Sequence, residues 1–344
     1  MKKRRLGNSN LMVSEICMGC MGFGDPTRGQ HIWTLDEKSS REIIIQGLEA
    51  GINFFDTAIA YQSGTSEKYL GKTIREVSNR DDVIIATKFL PKNDEEIEKG
   101  INGIQHVENM LNKSLENLGM DHVDLYIYHM WDHRTPLIEI LEGLNKLVKQ
   151  GKTRYIGISN CFAWQLAQAN DLARERNLTP FVSVQNHYNL IFREEEREMK
   201  AFCEQENIAM TPYSSLAGGR LLKHLNETSK RLQEDDYARL KYDSTKEVDQ
   251  KIIERVEELA SAHHTSMSAI SLAWLLTKTT SPIVGMTKPS HVKGAIDASN
   301  LVLNKDEIHY LEELYVPHKL VGVMAQNTKE SSNEAHVWSA QEKQ

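Results

Sequence analysis

The chain has 344 residues, of which 40% are hydrophobic and 26% charged, values typical of a globular protein. A formal net charge of -7 excludes a general binder of nucleic acid or of anionic membranes. With no apolar run of membrane-spanning length, no apolar signal core and four scattered cysteines, the sequence predicts a cytoplasmic protein without disulfides.

Apolar strand-like runs alternate with amphipathic helical patterns along the chain. The opening stretch RRLGNSNLMVSEI predicts a short β-hairpin. The predicted strands are Glu15–Gly19, Asn53–Phe55, Asp82–Ala86, Asp124–Tyr128, Arg154–Ile158, Val182–Val184, Ile208–Met210 and Ile283–Val284. The predicted helices are Ser39–Ala50, Ser66–Val77, Gln105–Leu118, Pro136–Lys149, Ala163–Asn170, Glu194–Gln205, Val248–Ala262 and Met267–Thr277.

Strand followed by helix, repeated around eight times, predicts an α/β fold, a (β/α)8 TIM barrel, rather than two doubly wound halves. We expect a single domain over residues 1–323, with the hairpin capping the barrel bottom. Two segments break the rhythm. Residues 217–246 are too long for a plain connector and predict a functional loop over one barrel face. Residues 324–344 are polar and without periodicity, so we expect a flexible C-terminal tail.

Several reactive side chains end the apolar strands: Asp56 closes NFFD, Lys88 closes IIATK and His129 closes LYIYH, while Tyr61 follows Asp56 in the same loop. Neighbouring barrel strands open on one face, so these groups should converge there. A Lys88 ammonium paired with Asp56 would stabilise the Tyr61 phenolate, lowering its pKa from about 10 and making it a proton donor near neutral pH. Each residue alone could equally be a turn cap, a rim aromatic, a strand-end charge or a core histidine.

The sequence resembles the aldo-keto reductase superfamily in DTAIAYQSGTSE, IIATKF, LYIYHMWD, GKTRYIGISN, QNHYNL, TPYSSLAGGRL and PIVGMTKPSH, over roughly residues 3 to 323. The resemblance implies a barrel with extended loops at its C-terminal face that binds NADP(H) and reversibly reduces aldehyde or ketone carbonyls. It implies that Tyr61 is the general acid, that Lys88, held by Asp56, lowers its pKa, and that His129 orients the carbonyl. The expected partner is therefore a small carbonyl or alcohol.

The resemblance also implies cofactor contacts around the strand ends. Ser159, Asn160 and Gln185 match the nicotinamide carboxamide, and Tyr213 the ring that stacks on it. The remaining implied contacts are Ser214, Leu216 and Gly218 at the pyrophosphate, Gly285, Thr287, Lys288 and His291 at the 2′-phosphate, and further Cys20, Met21, Asp56 and Arg220. Strand-end caps, a core tyrosine and a solvated lysine are the structural alternatives.

Two places depart from the family pattern. Gln62 follows Tyr61 where many relatives have glycine, and Gly294 and Ala295 stand where many carry an acid and an asparagine for the adenine. A second functional candidate is an NADP(H)-binding regulator or sensor with slow turnover. A metal-dependent hydrolase using His129, His187 and Asp132 is disfavoured because clustered ligands are missing; we expect no metal. The sequence does not define the substrate or the oligomeric state.

Overall fold

The computed structural model describes residues 1–29, 31–222 and 235–329. Strands β1 (Lys3–Arg5) and β2 (Met12–Ser14) pair antiparallel and form the predicted hairpin. A parallel sheet follows. Its strands are β3 (Cys17–Gly19), β4 (Phe54–Asp56), β5 (Ile84–Phe89), β6 (Val123–Tyr128), β7 (Thr153–Ser159), β8 (Ser183–Gln185), β9 (Ala209–Met210) and β10 (Ile283–Gly285).

The parallel sheet closes on itself. Its order runs β10-β3-β4-β5-β6-β7-β8-β9, so consecutive strands are neighbours. Between the two ends of this order, the amides of Thr280 and Ile283 donate to the carbonyls of Met210 and Pro212 at 3.0 and 2.9 Å. The fold is the predicted (β/α)8 barrel, and none of the helices in the described ranges is long and apolar enough to cross a membrane.

The helices surround the barrel. The longer ones are Glu37–Glu49, Thr65–Val77, Gly103–Leu118, Leu137–Lys149, Ala163–Glu175, Lys246–Ala262, Met267–Leu276 and Pro289–Asn300, with shorter ones at Asp94–Glu98, Met199–Glu206, Asp236–Tyr242 and Lys305–Glu312. The helix predicted from Glu194 begins only at Met199, after a separate 3-10 turn at Glu194–Glu196. Within that turn, the buried Glu195 carboxylate accepts a hydrogen bond from the Asn186 side chain at 2.8 Å.

Side-chain alternation along the strands divides the barrel interior into an apolar bottom and a polar top. Phe54, Ala86 and Ile127 belong to the inner apolar cluster, which the hairpin residues Leu6 and Val13 extend. Successive side chains of a strand point to opposite faces, so residues two positions further along point inward again. Those positions are Asp56, Lys88 and His129. An acid, an amine and an imidazole therefore lie together near the C-terminal opening of the barrel.

The packed chain continues beyond the predicted boundary at residue 323. Met324 is buried within a 3-10 helix, Gly322–Gln326. The buried Asn327 side chain donates to Gln165 Oε1 at 2.8 Å and accepts from His133 Nε2 at 2.9 Å. Residues 324–327 therefore pack against the barrel beyond the predicted boundary, because the Asn327 amide makes specific contacts that hydrophobic periodicity does not reveal. The rest of that predicted tail, residues 330–344, lies outside the described residues.

Candidate active site

A buried ammonium organises the centre of the site. Lys88 Nζ donates to Asp56 Oδ1 at 2.6 Å, to the Thr57 carbonyl at 2.8 Å and to the Tyr61 hydroxyl oxygen at 3.0 Å. An ammonium has three hydrogens, so these contacts use all of them. Tyr61 therefore accepts a hydrogen bond from Lys88, and its own phenolic hydrogen remains available to a group in the adjoining cavity.

The Asp56 carboxylate holds this ammonium in place. Its second oxygen accepts a hydrogen bond from Gln185 Nε2 at 2.9 Å, and both Asp56 and Lys88 are almost completely buried. Burial lowers the pKa of Lys88, but Asp56 and Tyr61 outweigh that effect, so the pKa lies above that of free lysine. The Lys88 amine stays charged, because a neutral amine would leave the buried Asp56 carboxylate without a counter-charge.

The pKa of Tyr61 differs from the sequence-based prediction. Burial raises it above the ordinary tyrosine value, Lys88 lowers it and Asp56 raises it again. The predicted net fall is wrong for this arrangement, because removing a phenolate from water outweighs one neighbouring positive charge. Tyr61 consequently keeps its proton at neutral pH, which is the state that an acid needs before it donates.

His129 forms the wall opposite Tyr61. The two rings are nearly perpendicular, at an interplanar angle of 82° with centroids 6.1 Å apart. Burial, assisted by the charge on Lys88, lowers the pKa of His129 to about 3, so the imidazole is neutral. Its backbone carbonyl accepts from Asn160 Nδ2 at 2.9 Å, and its buried Nδ1 has no hydrogen-bond partner within the described chain. A neutral ring of this kind can present Nε2–H to an oxygen.

These groups border a cavity of about 620 Å³ at the C-terminal ends of the strands. Most of the predicted residues lie on its wall. They are Met21, Asp56, Tyr61, His129, Ser159, Asn160, Gln185, Tyr213, Ser214, Leu216, Gly218, Gly285, Thr287, Lys288 and His291. The cavity thus runs from the Tyr61 hydroxyl to the start of the helix Pro289–Asn300.

Two predicted cofactor residues are turned away from this cavity. Cys20 is fully buried, and its Sγ lies 3.6 Å from the Met18 carbonyl; burial raises the pKa of its thiol. The Arg220 guanidinium forms an ion pair with Asp243 at 2.5 Å and lies 5.0 Å over the Tyr242 ring. The predicted cofactor contacts of these two side chains are therefore not on the cavity wall, because local packing directs each side chain elsewhere.

Ser159, Asn160 and Gln185, the residues expected at the nicotinamide carboxamide, are hydrogen-bonded to one another. Ser159 Oγ donates to the Gln185 carbonyl at 2.5 Å, and Asn160 Nδ2 donates to Ser159 Oγ at 2.9 Å. Tyr213 donates its hydroxyl hydrogen to Asn160 Oδ1 at 2.8 Å, which fixes the plane of its ring beside the cavity. Asn160 adopts a left-handed backbone with φ of +52°, a conformation that asparagine tolerates better than most residues.

The far end of the cavity has the chemistry of an anion site. Lys288 is the N-cap of the helix Pro289–Asn300, and Thr287 and His291 lie beside it. A helix N-terminus with an adjacent ammonium attracts negative charge. Gly294 and Ala295 are buried, and a Cβ at Gly294 would meet Ser268 Oγ at 2.7 Å. A side chain at that position would have to displace the Ser268 hydroxyl.

Some cavity residues were missed by the sequence analysis. Lys241 is nearly buried; its Nζ donates to Ser214 Oγ at 3.0 Å and lies 4.8 and 4.6 Å over the rings of Tyr213 and Tyr237. Both Tyr237 and Lys241 belong to the helix Asp236–Tyr242 within the predicted functional loop, and Val323 reaches the wall from the C-terminal segment. The sequence around Tyr237 is rich in aromatic and basic residues, but its contacts depend on how the loop folds back.

Two of the residues considered for a metal-dependent hydrolase make other contacts. Asp132 accepts from the Arg134 amide at 2.7 Å and from the Thr135 hydroxyl at 2.5 Å, while the His187 ring stacks on Phe192 with centroids 4.0 Å apart. Across residues 1–29, 31–222 and 235–329, three or more potential ligand side chains nowhere converge as a metal site.

The parallel (β/α)8 barrel holds an aspartate, a tyrosine and a histidine on the wall of the cavity, with a lysine buried behind them. Such a group of residues at the C-terminal face of a barrel is typical of an enzyme active site. The Aldo/keto reductase family model matches residues 15–316. An aldo-keto reductase of Fusarium vanettenii is 34% identical over 343 residues, covering 93% of this chain and 92% of the relative. Versiconal hemiacetal acetate reductase of Aspergillus parasiticus is 34% identical over 339 residues, covering 92% of this chain and 98% of the relative.

A similar solved structure is a thermostable aldo-keto reductase in complex with the inhibitor epalrestat. It has a TM-score of 0.74 and 25% sequence identity, and the match covers 91% of this chain and 100% of that one. The chain belongs to the aldo/keto reductase family of oxidoreductases.

Proposed function

We propose that this chain is an NADP(H)-dependent oxidoreductase that reduces aldehyde or ketone carbonyls to alcohols, reversibly. The observation that carries the proposal is the 3.0 Å hydrogen bond from Lys88 Nζ to the Tyr61 hydroxyl oxygen. This bond leaves the phenolic hydrogen of Tyr61 for a ligand in the cavity. Bound nicotinamide would supply the hydride, so the protein has to supply the proton and the placement of the carbonyl.

Tyr61 acts as the general acid. As the carbonyl oxygen gains negative charge it becomes a far stronger base than a phenolate, so a tyrosine of raised pKa still gives up its proton to it. The Lys88 ammonium stabilises the phenolate that remains, since it already donates to the same oxygen. Asp56 keeps this ammonium charged and in position.

His129 orients the substrate. Because the ring is neutral, with a pKa of about 3, it donates a hydrogen bond without adding a second positive charge beside Lys88. A carbonyl oxygen bound between the Tyr61 and His129 rings, whose centroids lie 6.1 Å apart, would accept from both donors. Two fixed donors are the usual way to stabilise a developing oxyanion.

The donor set fits an extended dinucleotide. Tyr213 offers a ring whose orientation is set by Asn160, and the turn that follows uses left-handed backbone at Ser214 and Gly218. A Cβ at Gly218 would meet the Ala238 side chain at 2.9 Å, so this turn depends on glycine. Lys288 at the helix N-cap favours a cofactor with a 2′-phosphate. Ser159, Asn160 and Gln185 would hold the carboxamide end.

Two further features support this proposal. The four cysteines are all free and buried, which suits the reducing cytoplasm proposed as the location. The cavity wall carries Trp33, Met130 and Tyr237, so the substrate side is largely apolar and aromatic. An apolar wall suits aryl and other bulky carbonyl compounds.

The test is NADPH oxidation by the purified protein with a panel of aryl aldehydes, aliphatic aldehydes, ketones and sugars. We expect turnover with at least one carbonyl class, preference for NADPH over NADH, and loss of that turnover in Tyr61→Phe. Tight NADPH binding without turnover across the panel would instead support the regulatory or sensor alternative.

A further inference from the structure

The residue after the proposed acid is held in an unusual backbone conformation. Gln62 has φ of +48° and ψ of +47°, and Ser63 has φ of +53° and ψ of +40°. Glycine adopts this left-handed region freely, whereas residues with a side chain do not. Gln62 is nevertheless buried, with 1% of its surface exposed. Because this backbone conformation is costly, we expect contacts of the buried Gln62 side chain to offset its cost.

The carboxamide of Gln62 fills the centre of the loop between β3 and the helix Glu37–Glu49. Its Oε1 accepts a hydrogen bond from the His31 amide at 2.9 Å. Its Nε2 has two hydrogens to donate and lies within hydrogen-bond distance of three carbonyl oxygens, those of Asp25 at 2.9 Å, of His31 at 3.0 Å and of Arg28. One side chain thus provides hydrogen-bond partners for several backbone groups of this loop.

The loop is shaped around that side chain. A Cβ added at Gly24 would lie 2.6 Å from Gln62 Cβ, and one at Gly29 would lie 2.7 Å from Gln62 Cα. Both glycines have positive φ, at +134° and +71°. The ends of the loop are joined by the Gly24 amide, which donates to the Leu35 carbonyl at 3.0 Å. The described part of this loop, residues 24–29 and 31–35, therefore wraps closely around Gln62.

The same loop supplies part of the substrate wall. His31 and Trp33 both line the cavity, and their ring centroids lie 4.9 Å apart. Gln62 follows Tyr61 directly in the chain, within the turn Tyr61–Gly64. This turn therefore connects the phenol to the loop that carries the two rings. Thr65 Oγ1 reinforces this turn: it donates to the Gln62 carbonyl at 2.7 Å and accepts from the Asp25 amide at 2.9 Å.

We propose that Gln62 is a positioning residue that determines substrate specificity, by holding the loop with His31 and Trp33 at a fixed place relative to Tyr61. This inference rests on the proposed carbonyl reduction for its effect on substrate, while the effect on the loop stands without it. Gln62 acts through the loop and does not itself donate a proton. It sets which carbonyl compounds fit beside the Tyr61 hydroxyl.

Two variants test the proposal. Gln62→Gly removes the carboxamide and relieves the left-handed backbone, whereas Gln62→Met keeps the length and the strain but loses every hydrogen bond. In both, we expect faster amide hydrogen exchange in residues 24–29 and 31–35 and faster trypsin cleavage after Arg28, whose side chain is 61% exposed. The matched control for loop order is Ser63→Gly, which relieves the adjacent left-handed residue and leaves the carboxamide in place; its exchange in this segment should equal that of the unmodified protein.

For both Gln62 variants we expect KM for the best carbonyl substrate to rise by about tenfold, with kcat changed less than about threefold. The reason is that loop backbone groups without the carboxamide loosen the cavity wall, whereas Tyr61 itself is unchanged. NADPH affinity and the pH profile of kcat should stay as they are. Loop protection in the two variants equal to that of the unmodified protein would overturn the positioning role. A loosened loop with unchanged KM for every carbonyl tested would overturn the specificity role.

These results are distinguishable from a failure of the proposed function. If no carbonyl is reduced, or if Tyr61→Phe turns over normally, the reductase proposal fails, but hydrogen exchange and trypsin cleavage still report on Gln62. If one of the two variants does not fold, the other carries the test, because only Gln62→Gly changes the backbone strain while both remove the carboxamide.

Discussion

Lys88 donates a hydrogen bond to the hydroxyl oxygen of Tyr61 across 3.0 Å, with its other two hydrogens bound by Asp56 and the Thr57 carbonyl. The direction of that bond matters more than its length. A phenol that accepts from a fixed ammonium must point its own hydrogen elsewhere, and the cavity is the space beside it. The arrangement produces a directed proton donor even though burial raises the pKa of Tyr61.

Tyr61→Phe should remove the proton donor and little volume. We expect kcat for carbonyl reduction to fall by about 10²–10⁴-fold, the usual contribution of a positioned acid. NADPH affinity, measured by titration of protein fluorescence, should change little because the ring remains. Turnover within a factor of about two of the unmodified protein would show that another group supplies the proton.

Lys88→Met should leave Asp56 buried without its partner. Removing one member of a buried ion pair costs about 3–5 kcal/mol of unfolding free energy, which chemical denaturation at neutral pH will measure. The double variant with Asp56→Asn should recover part of this loss, because no lone charge remains. Lys99→Met is the control, since its pair with Glu95 is mostly exposed and its removal should have little effect.

His129 should make the protein less stable in acid. Its folded pKa is about 3 and that of an unfolded histidine about 6.5, so between these values the unfolded chain binds a proton that the folded chain does not. The free energy of unfolding should therefore fall as the pH drops through 6.5, by up to about 1.4 kcal/mol per pH unit from this residue.

Denaturant titrations at several pH values between 7 and 5 check this contribution. The His129→Gln variant should show a shallower fall in stability than the unmodified protein, because its side chain does not titrate. Parallel curves for the two proteins would mean that His129 is protonated in the folded state at a pH near that of free histidine.

Lys288→Ala should weaken binding of NADPH and leave NADH almost unaffected. A phosphate contact by an ammonium at a helix N-terminus contributes roughly tenfold in affinity, which calorimetric titration resolves. Lys293→Ala serves as the control on the same helix, because Lys293 is exposed and paired with Asp297 at 2.6 Å. An equal loss for both cofactors would argue against recognition of a 2′-phosphate by Lys288.

The strands and the convergence of the strand-end residues could be read from the sequence because they follow from simple periodicity. Phe54 and Asp56 are two residues apart on one strand, so both side chains point to the same face, which is the barrel interior. The N-terminal hairpin was equally readable from its turn chemistry. Short helices such as Asp94–Glu98 and Lys305–Glu312 were not, since they bury little apolar surface and depend on capping by Asn93 and Asn304.

Other features depend on packing between distant segments. The raised pKa of Tyr61 follows from how completely the site excludes water, which residue types alone do not state. Gln62 was recognised as a departure from glycine, but its left-handed backbone and its contacts to Asp25 and His31 appear only in the folded chain. The place of Tyr237 in the cavity wall depends on how residues 217–246 fold back over the barrel.

Asn327 has a consequence for the order in which the site is assembled during synthesis. Its Nδ2 donates to the Asn160 carbonyl at 3.3 Å, and Asn160 in turn holds the His129 carbonyl and the Tyr213 hydroxyl. A nascent chain that has already emerged through β10 carries every reactive group, but the wall behind Asn160 is incomplete until residue 327 has left the ribosome. A premature stop codon shortly after β10 would therefore yield a barrel with its chemistry present and its geometry unsupported.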